Sequence, residues 1–234
     1  MASIVFEHAS CQYAATEPPA VADLDLVIAD GELLVLCGTA GSGKSTVLRM
    51  LAGLVPVTGG RVLLDGEEVG SRPDWSSRVS MVFQNYSLYP YLTVDQNIAL
   101  PLTQRGVTKA EIAAEVGTVA DILDLKGVLG RNVTVLSAGQ RIRVAMARGL
   151  IRRPAVLLMD EPLANLEPDI RGELAELIVT AQERHGITSL YTTCDFTEAL
   201  AVGGRVALLD EGTLQAIGTP DQLASSTTDP ESKP

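Results

Sequence analysis

The chain has 234 residues, 46% hydrophobic and 20% charged, long enough for one large α/β domain with a sizeable core. Its formal net charge of -11 excludes nucleic acid as a principal partner, because phosphate backbones need a basic face and the sequence shows none. Three cysteines without CxxC spacing (Cys11, Cys37, Cys194) and two histidines (His8, His185) exclude a disulfide framework and a zinc centre.

In chain order, the opening MASIVFEHAS carries an acid and no basic residue ahead of its short apolar stretch, so it does not read as a secretory signal. Apolar runs at 4–6, 21–28, 33–36, 61–64 and 79–83 read as strands, the first few antiparallel because their connections are short. From about 93 to 150 the pattern is helical: TKAEIAAEVGTVADILDL places Ile112, Val116, Val119, Ile122 and Leu123 three to four residues apart. Strand-like runs return at 155–159, 188–191 and 205–209, separated by helical patterns such as 169–184, and this alternation predicts a parallel sheet with a helical insertion. The end, SSTTDPESKP, has no apolar residue and is expected to be a disordered tail over 224–234. No apolar run reaches ~18 residues, so no membrane span is expected, and the cysteine usage points to a reducing, cytoplasmic setting.

Two motifs carry chemistry. Gly38-Thr39-Ala40-Gly41-Ser42-Gly43-Lys44-Ser45, with Thr46 following, fits GxxxxGK(S/T) between an apolar strand and an amphipathic helix over 45–54. Gly41 and Gly43 let the backbone curl with its N–H groups inward, and the helix N-terminus adds positive charge. Lys44 can reach β and γ phosphates, and the Ser45 hydroxyl can hold Mg²⁺; the plain alternative is a glycine-rich turn. In AVLLMDEP an apolar strand ends in Asp160 and Glu161, expected to point to different sides of the strand end. Asp160 would support Mg²⁺ and Glu161 would orient or activate the attacking water. By itself such a pair is often a strand meeting solvent.

A further segment, VTVLSAGQRIRVAMARGL, contains Leu136-Ser137-Ala138-Gly139-Gln140, which resembles the LSGGQ signature of ATP-binding cassette (ABC) proteins with Ala138 in place of a glycine. On these residues the chain resembles the nucleotide-binding subunit of an ABC transporter from about residue 3 to 223. Tyr13 stands where the family's adenine-stacking aromatic is expected, and MVFQNYSLYPYLTVDQNI resembles the Q-loop region with Gln84 as its glutamine, most like the group that includes maltose-type sugar importers. PLANLEP resembles the D-loop with Glu167 in place of aspartate, and YTTCDFTEAL resembles the switch segment with Cys194 at the histidine position.

The resemblance implies an α/β P-loop ABC cassette over 1–223, with a RecA-like core, an antiparallel β subdomain and an inserted α-helical subdomain at about 93–150. It implies ATP and Mg²⁺ as ligands, with Ser45 and Gln84 on the metal and Asp160 supporting it. Two cassettes, identical or not, would sandwich ATP, each cradle facing the partner's Leu136–Gln140 segment, where Ser137 and the following N–H groups meet the γ-phosphate. The subunit would sit peripherally on the cytoplasmic face of the cell membrane, on separate permease subunits that the segment 84–102 helps to receive, and work in an importer served by a substrate-binding protein. Sugar importers of this group carry a further β domain after the cassette, whereas here a short tail follows. The rival is a nucleotide-dependent assembly or regulatory subunit that turns over poorly, suggested by Ala138, Glu167 and Cys194. Ala138 is harmless if its φ is negative and strained if positive. Cys194 by itself could be a nucleophile, a metal ligand, a small core residue or a replacement; given the resemblance, a buried thiol that has lost the histidine's role is expected, with a redox-sensitive thiol as the alternative.

Overall fold

The computed structural model describes the backbone of residues 2–70 and 75–226. With strands numbered in chain order, an antiparallel sheet runs β2-β1-β4-β5 and is built from β1 (Ile4–Cys11), β2 (Val21–Ile28), β4 (Gly59–Leu64) and β5 (Glu67–Glu68). Residues 33–36, expected among the antiparallel strands, lie instead in β3 (Leu33–Cys37), at the centre of a second sheet. That sheet also contains β6 (Val79–Val82), β7 (Val156–Asp160), β8 (Thr188–Thr193), β9 (Arg205–Asp210) and β10 (Thr213–Gly218), in the order β10-β9-β3-β8-β7-β6. Its pairings are parallel except for β10 on β9.

The reason β3 takes a parallel place is in its side chains. All five are buried, Leu34 and Leu36 in one apolar core and Leu33, Val35 and Cys37 in the other. A strand covered on both faces reads as an unbroken apolar run rather than an alternation. β7 divides the same way, with Val156 and Leu158 on one side and Leu157 and Met159 on the other. The first core joins the two sheets and takes Val47 and Leu48 of α1 (Lys44–Leu51); the second is roofed by α3 (Val94–Thr103), α5 (Ala138–Leu150) and α6 (Pro168–His185).

Local sequence sets where the helices begin and end. Thr108 and Glu111 form a capping box on α4 (Lys109–Ile122), as Ser137 and Gln140 do on α5. Of the expected helical stripe, Val116, Val119 and Leu123 are buried, with Ile112 and Ile122 packed at the margin. The short helix α2 (Trp75–Arg78) anchors Trp75, whose Nε1 donates to Leu51 O at 3.1 Å. α6 ends where Gly186 turns left-handed. After α7 (Phe196–Val202), the last helix, α8 (Pro220–Ser226), takes in residues 224–226 of the expected disordered tail. Thr219 and Gln222 close its first turn, each accepting the other's backbone N–H, with Pro220 at its first position. The rest of that tail, 227–234, lies outside the described residues. Among the described residues no helix is long and apolar enough to cross a membrane.

The β1–β2 ladder is irregular between Phe6 and Ala9, where His8 Nδ1 lies 2.9 Å from Asp23 Oδ1 and 3.2 Å from Asp25 Oδ2. The hydrogen bond to Asp23, and then the charge of Asp25, raise the His8 pKa. A raised folded-state value means that the stabilisation is complete below the ordinary histidine pKa of about 6.5 and is lost as pH rises through the folded value. Asp23→Asn is expected to lower the His8 pKa in an NMR titration of the imidazole; an unchanged value would refute the pairing.

Candidate active site

β3 runs into a loop, 38–43, that enters α1. At Gly38 a Cβ would meet Leu209 O at 2.1 Å, so only glycine fits beneath the neighbouring strand. Gly43, the N-cap of α1, has φ 100 and supplies no side-chain cap, which leaves the first N–H groups of the helix open to an anion. Lys44 is 3% exposed, yet its ammonium is matched: Nζ donates to Gly38 O and Thr39 O, both at 2.8 Å, and lies 3.4 Å from Glu161 Oε1. Ser42 Oγ is buried without a hydrogen-bond partner among the described residues. Tyr13 reaches the same place from just beyond β1; its hydroxyl is 3.2 Å from Thr46 Oγ1 while its ring stays exposed.

The two carboxylates do not diverge as strand alternation predicts. Asp160 ends β7 on the side that faces α1, and its Oδ1 accepts from Ser45 Oγ at 2.8 Å. Glu161 follows with φ 44, in the left-handed region, and this turn swings its carboxylate back to the same cradle. There it lies between Lys44 and Gln84, whose Nε2 is 3.4 Å from Glu161 Oε2. Gln84 and Asp160 line one cavity of about 280 Å³ with Arg49, Phe83, Asn85 and Asn165.

Cys194 corrects a second expectation: it is exposed, at the turn between β8 and α7. The buried thiols are Cys11 and Cys37, whose pKa values burial pushes up. The strand stops at Thr193, and Asp195 caps α7 by accepting from the N–H groups of Thr197 and Glu198, so the residue between them is left in the open. Arg171, which no sequence pattern singled out, joins this segment to the loop after Glu161: it donates to Leu166 O at 2.9 Å and Ala164 O at 3.4 Å and lies 3.5 Å from Asp195 Oδ2. Glu167 is the N-cap of α6 but makes no side-chain cap bond.

Leu136–Gln140 lies apart from the cradle, and no hydrogen bond joins the two among the described residues. Ser137 Oγ accepts from Gln140 N at 3.2 Å, which leaves its own proton free to donate outward. Ala138 is the first residue of α5 and has no positive φ, so the unstrained alternative holds, and its methyl packs at the edge of the second core.

The donor set fits a magnesium nucleotide. The Ser45 hydroxyl, the Asp160 carboxylate and the Gln84 amide oxygen are hard ligands of the kind Mg²⁺ prefers, and the uncapped α1 N-terminus, the Lys44 ammonium and the orphaned Ser42 hydroxyl suit phosphate oxygens. Comparison with known proteins agrees on the nucleotide. The ABC transporter family model matches residues 21–164. The trehalose import ATP-binding protein SugC of Mycobacterium tuberculosis is 46% identical over 223 residues, covering 95% of this chain and 56% of its own. The diacetylchitobiose uptake system ATP-binding protein MsiK of Streptomyces coelicolor is 47% identical, with 95% and 59% covered. Thus the chain spans little more than half the length of the curated relatives it matches. Among solved structures, the ATP-binding cassette MJ0796, a dimer in a post-hydrolysis state with ADP and Pi, superposes with a TM-score of 0.81 at 26% identity, covering 93% of this chain and 98% of its own. The chain is an ABC cassette and belongs to the ABC transporter family.

Proposed function

We propose that the chain is the ATP-hydrolysing cassette of a carbohydrate importer. It would lie at the cytoplasmic face of the membrane and drive separate permease subunits fed by a substrate-binding protein. The observation that carries this reading is the convergence of Asp160 and Glu161 on neighbouring residues of one helix start, Ser45 and Lys44. The roles ascribed to SugC and MsiK support the cargo class.

In this reading Tyr13 stacks on adenine and the loop from Gly38 to Thr46 wraps the phosphates. Mg²⁺, held by Ser45 and Gln84 and steadied by Asp160, would neutralise charge on the β and γ phosphates. Lys44 now faces Glu161; phosphates would take over its charge and free the carboxylate to orient a water for in-line attack. Ser137, with its free hydroxyl proton at the start of α5, would complete the site from a second cassette, as the dimeric form of MJ0796 suggests. A groove of about 330 Å³ lined by Phe83, Tyr89, Leu100, Pro101, Arg148 and Arg152 would seat a helix of the permease. Arg148 stiffens its wall by donating to Tyr86 O and Ser87 O and lying 5.9 Å from the Tyr89 ring centroid.

One observation favours a second reading, a nucleotide-dependent assembly or regulatory subunit: the exposed thiol of Cys194 at the position where the family's histidine is expected to contact the γ-phosphate. Single-turnover hydrolysis of Mg-ATP, alone and with the permease, separates the two.

Lys44→Ala is expected to lower ATP turnover by ~10³ and to weaken binding, because it removes the one buried cation of the cradle; near wild-type affinity and turnover would sink the phosphate assignment. Glu161→Gln should lower turnover by ~10² or more while keeping ATP bound, and should lengthen dimer life in size-exclusion runs with Mg-ATP. Weakened binding with no gain in dimer would give Glu161 another role. Because Cys194 sits in the open, an imidazole can be placed there without repacking the core. Cys194→His is expected to raise turnover, by ~10² if the general acid–base scale applies; assayed with the permease, a variant no faster than wild type shows that the missing imidazole is not limiting.

A further inference from the structure

We infer that Thr192 is a positioning residue for hydrolysis, one that locks Asp160 and Glu161 into their working arrangement; the inference rests on the ATPase reading above. Thr192 is fully buried on β8 and stands directly across the parallel register from Asp160. On this strand Leu190 packs in the core shared with α1, and Thr192, two residues on, takes the same face. A hydroxyl at 0% exposure has no bulk water to bond and must find its partners within the fold.

It does. Thr192 Oγ1 accepts from the Glu161 backbone N–H at 3.0 Å and donates to Asp160 Oδ1 at 3.1 Å, with Met159 O a longer acceptor at 3.4 Å. Asp160 Oδ1 thereby receives two hydroxyls, from Thr192 and from Ser45. The bond to the Glu161 N–H falls at the residue whose φ of 44 leaves the strand conformation. A single side chain therefore fixes the metal-supporting carboxylate by its proton and the left-handed turn of the water-orienting glutamate by its lone pair. Valine would keep the shape and strand preference of Thr192 but leave the Glu161 N–H buried without an acceptor and Asp160 short of a donor. Residues that hold a ligating carboxylate in this way set activity through geometry rather than by touching substrate.

The test compares wild type, Thr192→Val and Thr192→Ser. Thr192→Val is expected to lower kcat by ~10- to 100-fold while KM for ATP moves less than about threefold, and Thr192→Ser, which restores the hydroxyl, to recover kcat to within about threefold of wild type. Independently of activity, the Glu161 amide should be protected from hydrogen exchange in wild type and in Thr192→Ser, and exchange about fivefold or more faster in Thr192→Val. Wild-type kcat together with unchanged exchange in Thr192→Val overturns the inference. So does an equal loss in both variants, which marks a packing role. If the wild type fails to hydrolyse ATP, the ATPase reading falls, and with it the role in hydrolysis, whereas amide exchange still decides whether Thr192 holds the turn. If Thr192→Val fails to fold, Thr192→Ala makes the same deletion, and an unprotected Glu161 amide in wild type refutes the bridge outright.

Discussion

A buried ammonium organises this site. Removing the Lys44 charge from water costs several kcal/mol unless partners replace the solvent, and the loop supplies them by turning the carbonyls of Gly38 and Thr39 onto Nζ. With those carbonyls committed inward, the uncapped N–H groups at the positive end of α1 and the unpartnered Ser42 hydroxyl are left to meet an anion. Glu161 adds the opposite charge at 3.4 Å. The same lysine thus shapes the cradle and pairs with Glu161, so that a bound phosphate would compete with this carboxylate for one cation.

The parallel sheet explains why the remaining groups meet there. β6, β7, β8 and β3 are adjacent and run in one direction, so all four release their C-terminal residues at one edge. Gln84 follows β6, Asp160 ends β7, Thr192 lies near the end of β8, and the cradle follows β3. Period-two alternation then chooses the face: Val156, Leu158 and Asp160 share one side of β7, and Leu190 and Thr192 share the corresponding side of β8. Glu161 is the exception. Continued alternation would send it away from α1, and the left-handed turn that returns it costs of order ~1–3 kcal/mol. Contacts with Thr192, Lys44 and Gln84 hold it there.

Much of this was legible from local pattern. The GxxxxGK(S/T) loop and the strand into Asp160 point to their chemistry within a few residues, the Leu136–Gln140 segment does so through its family resemblance, and the capping pairs Thr108/Glu111 and Ser137/Gln140 mark helix starts without tertiary help. What escaped depends on distant partners. The short connections around 33–36 suggested antiparallel pairing, but burial of both faces made β3 central and parallel. The strand β10, with alternating exposure, pairs with β9 through a tight turn at Glu211-Gly212, a hairpin whose local signal is that glycine alone. Arg171 and Thr192 carry no motif: the guanidinium contacts a loop five to seven residues back and a helix cap twenty-four ahead, and the hydroxyl acts across strands. Only the polar break at Thr192-Thr193 after an apolar run hinted that the end of β8 has a use beyond packing.

The three departures from the family pattern are unequal in physical weight. Ala138 opens a helix, where alanine is the best of residues, and its methyl adds core contact. Any penalty must then arise across a dimer interface. Glu167 caps α6 less well than aspartate would, a loss of about 1 kcal/mol on the helix scale, while Arg171 ties the same turn by its bond to Leu166 O. That cost falls on the stability of the loop and the helix start. Cys194 differs in kind: it lies exposed between the end of β8 and Asp195, which caps α7, so the side chain at this position takes no part in the packing of the turn. A thiol is a shorter and weaker hydrogen-bond donor than imidazole. Under the proposed ATPase reading, the cysteine is the one of the three that would place its deficit at the chemical step, and its exposed position offers room for an imidazole.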